Sequence, residues 1–99
     1  MPAERVPIEE KERFDLIPPE FLIRLANYYK ENTKKHPARN WEQGMSVGYC
    51  YRAAMTHLVK FFLRQKDEDH LIAVVWNVVA IMFYLDHYGD KWDDRPEVK

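Results

Sequence analysis

Four histidines, an acidic triplet and a group of cations around a tryptophan are the residues of this 99-residue chain with the means for chemistry. Asp67, Glu68 and Asp69 form a run of hard oxygen donors, the type that holds Mg²⁺ beside a phosphate. The same three carboxylates suit the start of a helix, where they cap it and meet the positive end of its dipole. His70 follows at once, and Asn77 lies seven residues on, two helical turns away and facing the same side. Asn77 interrupts the apolar run Leu71–Leu85, and an amide left unpaired in such a place costs about 1 to 3 kcal/mol, so it needs a partner. Either it is a satisfied core asparagine behind a capping aspartate, or it opens with His70 and His57 into a polar pocket. Lys34, Lys35, Arg39 and Arg13 flank Trp41, a combination that suits a phosphate held by charge and a base held by stacking. A solvated basic face beside a core tryptophan would read the same way. The chain has no P-loop, GxGxxG, CxxC pair or basic recognition helix.

These residues must be positioned by helices. Three glycines, no Asn-Gly or Asp-Gly turn and no period-two alternation leave little room for hairpins, so the fold class is all-α. Pro18-Pro19 sets the start of a first helix near Pro19 or Glu20, with Phe21, Leu22, Leu25, Tyr28 and Tyr29 at helical spacing and an end before Pro37. The stretch from His36 to Gly44 is a loop that carries Arg39, Asn40 and Trp41. Ser46 caps a second helix running to about Arg64, whose expected buried stripe is Val47, Tyr51, Ala54, Leu58, Phe61 and Phe62. A third runs from Asp69 to about Tyr88, with Gly89 as its C-cap. Residues 1–12 read as a flexible polar segment, 13–89 as one helical domain, and 90–99 as a charged tail in which Trp92 folds back.

The third helix is apolar nearly all round, and three short helices cannot cover every face of it. The expectation is a helical-bundle homodimer or higher oligomer. Fifteen basic and sixteen acidic side chains give a net charge of −1 and no overall field for a nucleic-acid polymer or an anionic membrane, so any anion site is local. The single cysteine, Cys50, and a charged start without an apolar leader fit the cytoplasm. The fifteen-residue run Leu71–Leu85, broken by Asn77, falls short of the roughly 20 apolar residues of a bilayer span, which makes the third helix a core helix.

The order of Arg13-Phe14-Asp15-Leu16-Ile17-Pro18, Lys34-Lys35, Arg39-Asn40-Trp41-Glu42 with Gly44, the Ala54–Leu58 helix and the His70–Asn77 helix resembles the phage-associated dATP/dGTP diphosphohydrolase N-terminal-domain family, near the MazG-like all-α nucleotide pyrophosphohydrolases. The resemblance spans about Arg13 to Tyr88. It implies a nucleotide site drawn from Arg13, Asp15, Lys35, Arg39, Asn40, Trp41, His57, His70 and Asn77. The acidic loop is shorter here than the family pattern, Ala73 stands where a second histidine is expected, and the Glu-Glu-x-x-Glu motif of MazG-type enzymes is absent. Two functions follow. One is a phage-type protein in the cytoplasm of an infected host that sequesters a phosphorylated purine nucleotide, a cyclic or signalling nucleotide included. The other is a Mg²⁺-dependent pyrophosphohydrolase, with Glu68 and Asp69 on the metal and His57 or His70 orienting water or phosphate. Val47 to Lys66 contains no carboxylate, a thin supply for a metal site built from several elements, and this favours binding. A helical interaction module without nucleotide affinity is a third class.

Overall fold

The computed structural model describes residues 3–5, 9 and 11–98; the rest of the expected N-terminal segment, residues 1, 2, 6–8 and 10, and the last residue of the tail lie outside them. Among the described residues the chain is all-helical, as expected. A 3₁₀ turn at Phe14–Leu16 precedes α1 (Pro19–Asn32), a second at Asn40–Gln43 lies in the following loop, and α2 (Val47–Phe62) and α3 (His70–Tyr88) complete the fold. Pro19 opens α1 at the position where its missing N–H is no loss. Ser46 Oγ accepts from Tyr49 N at 3.0 Å, Asp69 accepts from Ile72 N at 3.2 Å, and Gly89 ends α3 at φ 59°.

α2 lies along α3, and α1 packs more lightly on α3. Of the stripe expected on α2, Val47 is buried and Ala54 partly buried, but Tyr51 (63% exposed), Leu58, Phe61 and Phe62 (83%) face outward, and Cys50 and the half-buried His57 turn inward instead. α3 meets α2 with the small residues Ala73 and Ala80, both fully buried, so the line of α2 with the least bulk approaches it most closely. The aromatic line is left on the opposite face. Burial pushes the Cys50 thiol up to about 11, which keeps it protonated within this seam.

α3 is long and apolar enough to cross a membrane by length and composition, a test that a core helix also passes. Here it forms the centre of the molecule, with Ile72, Ala73, Ala80 and Tyr84 buried beside His70 and Asn77. The tail returns to this centre. Trp92 packs on the Cys50–Ala80–Tyr84 cluster, its carbonyl accepts from Val47 N at 2.9 Å, and Asp94 accepts from Gly48 N at 2.6 Å.

Candidate functional site

Pro37 ends any continuation of α1, and the chain turns at Arg39, whose φ of 64° is left-handed, before the 3₁₀ turn that carries Trp41. Two tyrosines of α3 pin this turn: Tyr84 donates its hydroxyl to the Trp41 carbonyl and Tyr88 donates to that of Glu42 at 2.7 Å. The Trp41 ring meets Phe83 at 4.9 Å between centroids and Tyr29 and Trp76 at 5.9 Å each. Trp41 is therefore at once part of the aromatic core and part of the wall of a groove.

That groove, of about 680 Å³, runs between α1, the turn and the α2–α3 seam. Lys35, Arg39, Asn40, Trp41, His57 and Asn77 all line it. Six of the residues singled out for nucleotide binding thus share one cavity, in the size range of small-molecule sites. Asn77, 4% exposed, donates its amide to the Ala73 carbonyl at 2.8 Å, which supplies the partner its burial requires. Arg39 is exposed and pairs with Glu42 at 3.2 Å. Tyr28, Tyr29, Asn32 and Tyr49 complete the walls, and burial raises both Tyr28 and Tyr29 above the ordinary phenol range. The sequence reading placed Tyr28 and Tyr29 only in a packing stripe. Tyr28 and Asn32 stand one helical turn apart at the end of α1, a spacing that marks them as neighbours of the basic loop.

Arg13 and Asp15 lie apart from this groove, joined to each other by two bonds of 2.8 Å. A second cavity of about 650 Å³ lies between α1 and the acidic turn, where Glu20, Glu31, Glu68 and Asp69 face Arg24, Lys34 and Lys35. The volumes are nearly equal, so charge distinguishes them: carboxylates outnumber cations in this one, whereas Lys35 and Arg39 face only Glu42 in the other.

The acidic turn is largely occupied. Asp69 caps α3 and takes a two-pronged bond from Arg24, which holds its carboxyl below the usual range. Asp67 accepts at 2.8 Å from His70 Nε2. The Glu68 carboxylate reaches toward His57 Nδ1 at 3.7 Å. An all-oxygen Mg²⁺ cage built on Glu68 and Asp69 does not fit this arrangement, since Asp69 has both oxygens engaged by protein donors. His70, 3% exposed, touches His57 Nδ1 to Nδ1 at 3.0 Å, so His57 joins the groove to the residues around the acidic turn. Burial, the largest cause, lowers the His57 pKa below its ordinary value.

Comparison with curated proteins and with solved structures gives no match. A family model does match, described as dATP/dGTP diphosphohydrolase, N-terminal, and it covers residues 4–95. That span takes in α1, the Trp41 turn, α2, α3 and the returning Trp92, so the chain belongs to the dATP/dGTP diphosphohydrolase N-terminal family.

Proposed function

We propose that this protein captures a phosphorylated purine nucleotide, linear or cyclic, in the groove beside Trp41 and holds it without turnover. The observation that carries this reading is the convergence of Lys35 and Arg39 with Tyr29, Trp41 and Asn77 on one cavity of about 680 Å³. Cations at the rim suit phosphate oxygens, aromatic walls suit a base, and amides of Asn40 and Asn77 suit its polar edge. Family membership supports a nucleotide as the ligand class. It also supports the alternative, Mg²⁺-dependent hydrolysis to monophosphate and pyrophosphate. The engagement of Asp67 and Asp69 by His70 and Arg24 weighs against that alternative. With the sequestration reading go a phage origin, a homo-oligomeric state, a cytoplasmic location, and a small nucleotide rather than a nucleic-acid polymer or a membrane as partner.

Calorimetric titration with dATP, dGTP and cyclic purine nucleotides tests it. Arg39→Ala and Lys35→Ala should each weaken binding by roughly tenfold or more, as loss of a charge-assisted bond of about 1.5 to 3 kcal/mol would. Circular dichroism should stay at the wild-type level, since exposed substitutions usually move stability by about 0.5 kcal/mol at most. Equal affinity in wild type and both variants would remove the basic rim from the site, and no binding of any of these nucleotides would leave the interaction-module reading.

A further inference from the structure

We propose that His57, His70 and Glu68 form a site for a nitrogen-favouring divalent cation of the Zn²⁺ class, seated where α2, the acidic turn and the first residue of α3 meet. His57 Nδ1 stands 3.0 Å from His70 Nδ1 and 3.7 Å from Glu68 Oε1, and the donor atoms of all three residues lie within 4.8 Å of one another. Ligands held at about 2.0 to 2.1 Å on a tetrahedral zinc are separated by roughly 3.3 Å, a value the two shorter spacings bracket. Glu68 is 44% exposed and closes the remaining distance by rotating its side chain.

A second, independent contact has the form of a metal site's supporting shell. Asp67 Oδ1 lies 2.8 Å from His70 Nε2. A metal-bound imidazole commonly donates its other N–H to a carboxylate in this way, which fixes the tautomer and directs the free lone pair at the ion. With Nε2–H donated to Asp67, neutral His70 presents Nδ1 as an acceptor, and in the absence of an ion His57 Nδ1–H donates to it. A cation at that point replaces the shared proton, and His57 retains its proton by carrying it on Nε2.

The donor set selects the ion. Two imidazoles and one carboxylate suit Zn²⁺, Co²⁺ or Ni²⁺, whereas Mg²⁺ takes hard oxygens. Three protein ligands leave a fourth position for water or a ligand oxygen. The site does not depend on the nucleotide reading, because its donors exist whether or not the groove takes a nucleotide.

Chelator competition with Zn²⁺ on the untagged full chain tests the proposal, together with the visible spectrum of the Co²⁺ form. The expected result is one ion per protomer and the intense absorption of four-coordinate Co²⁺. Glu68→Gln and His57→Asn should each weaken Zn²⁺ binding at least roughly tenfold, with the helical circular-dichroism signal unchanged. Asp67→Asn should lower affinity by about 10- to 100-fold while keeping the four-coordinate Co²⁺ spectrum, because it leaves the ligands in place. A His36→Asn/His87→Asn double variant, which removes the two histidines outside the cluster, should bind as wild type does. The proposal is overturned if wild type binds Zn²⁺ no more tightly than the Glu68→Gln/His57→Asn double variant, or if affinity is lost with His36 and His87 instead.

Discussion

The Asp69 carboxylate ties two helices at once, capping α3 through Ile72 N and pairing with Arg24 of α1. Arg24 is the chief reason its pKa lies below the ordinary value. A depressed carboxyl contributes stability that is present above the unfolded pKa of about 3.9 and is lost as the pH falls through the folded value. Asp69→Ala should therefore lower stability near pH 7 by about 1 kcal/mol, most of it the lost cap, with the half-exposed ion pair adding a few tenths. Asp69→Asn keeps the cap and should lose only the smaller part. Urea midpoints at pH 7 and pH 3 check this, and an Asp69→Ala deficit that persisted undiminished at pH 3 would contradict it. Single residues were legible where chemistry and spacing agreed: Lys35, Arg39, Trp41, His57 and Asn77 share a cavity as their types suggested. The pairing of Arg13 with Asp15 and of Arg24 with Asp69 was not legible, because cations two or forty-five residues from a carboxylate look equally free in a sequence.

At the scale of elements, α1 ends at Asn32, well before Pro37, but the starts of all three helices and the end of α3 were written in proline, serine, aspartate and glycine. The buried face of α2 was not, because hydrophobic bulk suggested one stripe whereas close approach to Ala73 and Ala80 of α3 chose another. The end of α2 falls at Phe62, within two residues of the expected Arg64, and Arg64 itself takes the left-handed conformation, φ 63°, usually filled by glycine. The junction between the Trp41 turn and α2 depends on Gly44, at φ 111°, where a Cβ would stand 2.2 Å from the Trp92 ring. Gly44→Ala meets both backbone strain and overpacking and should cost about 3 kcal/mol. At Gly48 a Cβ would meet the Asp94 carboxylate at 2.8 Å, the far end of a side chain that can move. Gly48→Ala should stay within about 1 kcal/mol of wild type, since improved helix propensity offsets the displaced bond. Thermal unfolding of both variants distinguishes the two glycines, and equal losses would contradict the Trp92 docking that separates them.

The whole molecule exposes 8520 Å², whereas a compact protein of 12.0 kDa exposes about 6,000 Å². Its radius of gyration is 17.3 Å against about 13 Å for a globule of this length. Two stripes at helical spacing face outward and contribute to the excess: Tyr51, Met55, Leu58 and Phe62 on α2, and Leu71, Val75, Val78 and Met82 on α3. The surplus matches what one partner buries in an obligate dimer. Sedimentation at micromolar concentration should give a multiple of 12.0 kDa, and Phe62→Glu or Val78→Glu should give monomer or unfolded chain; a wild-type mass of 12.0 kDa would contradict this. A groove of this kind can act by holding its ligand, and the most direct test of that claim combines binding with chemical fate. Equilibrium dialysis against dGTP with Mg²⁺, followed by chromatography of the bound nucleotide after prolonged incubation, should recover saturable, unaltered dGTP. Monophosphate accumulating in proportion to protein, or no retained nucleotide at all, would contradict it.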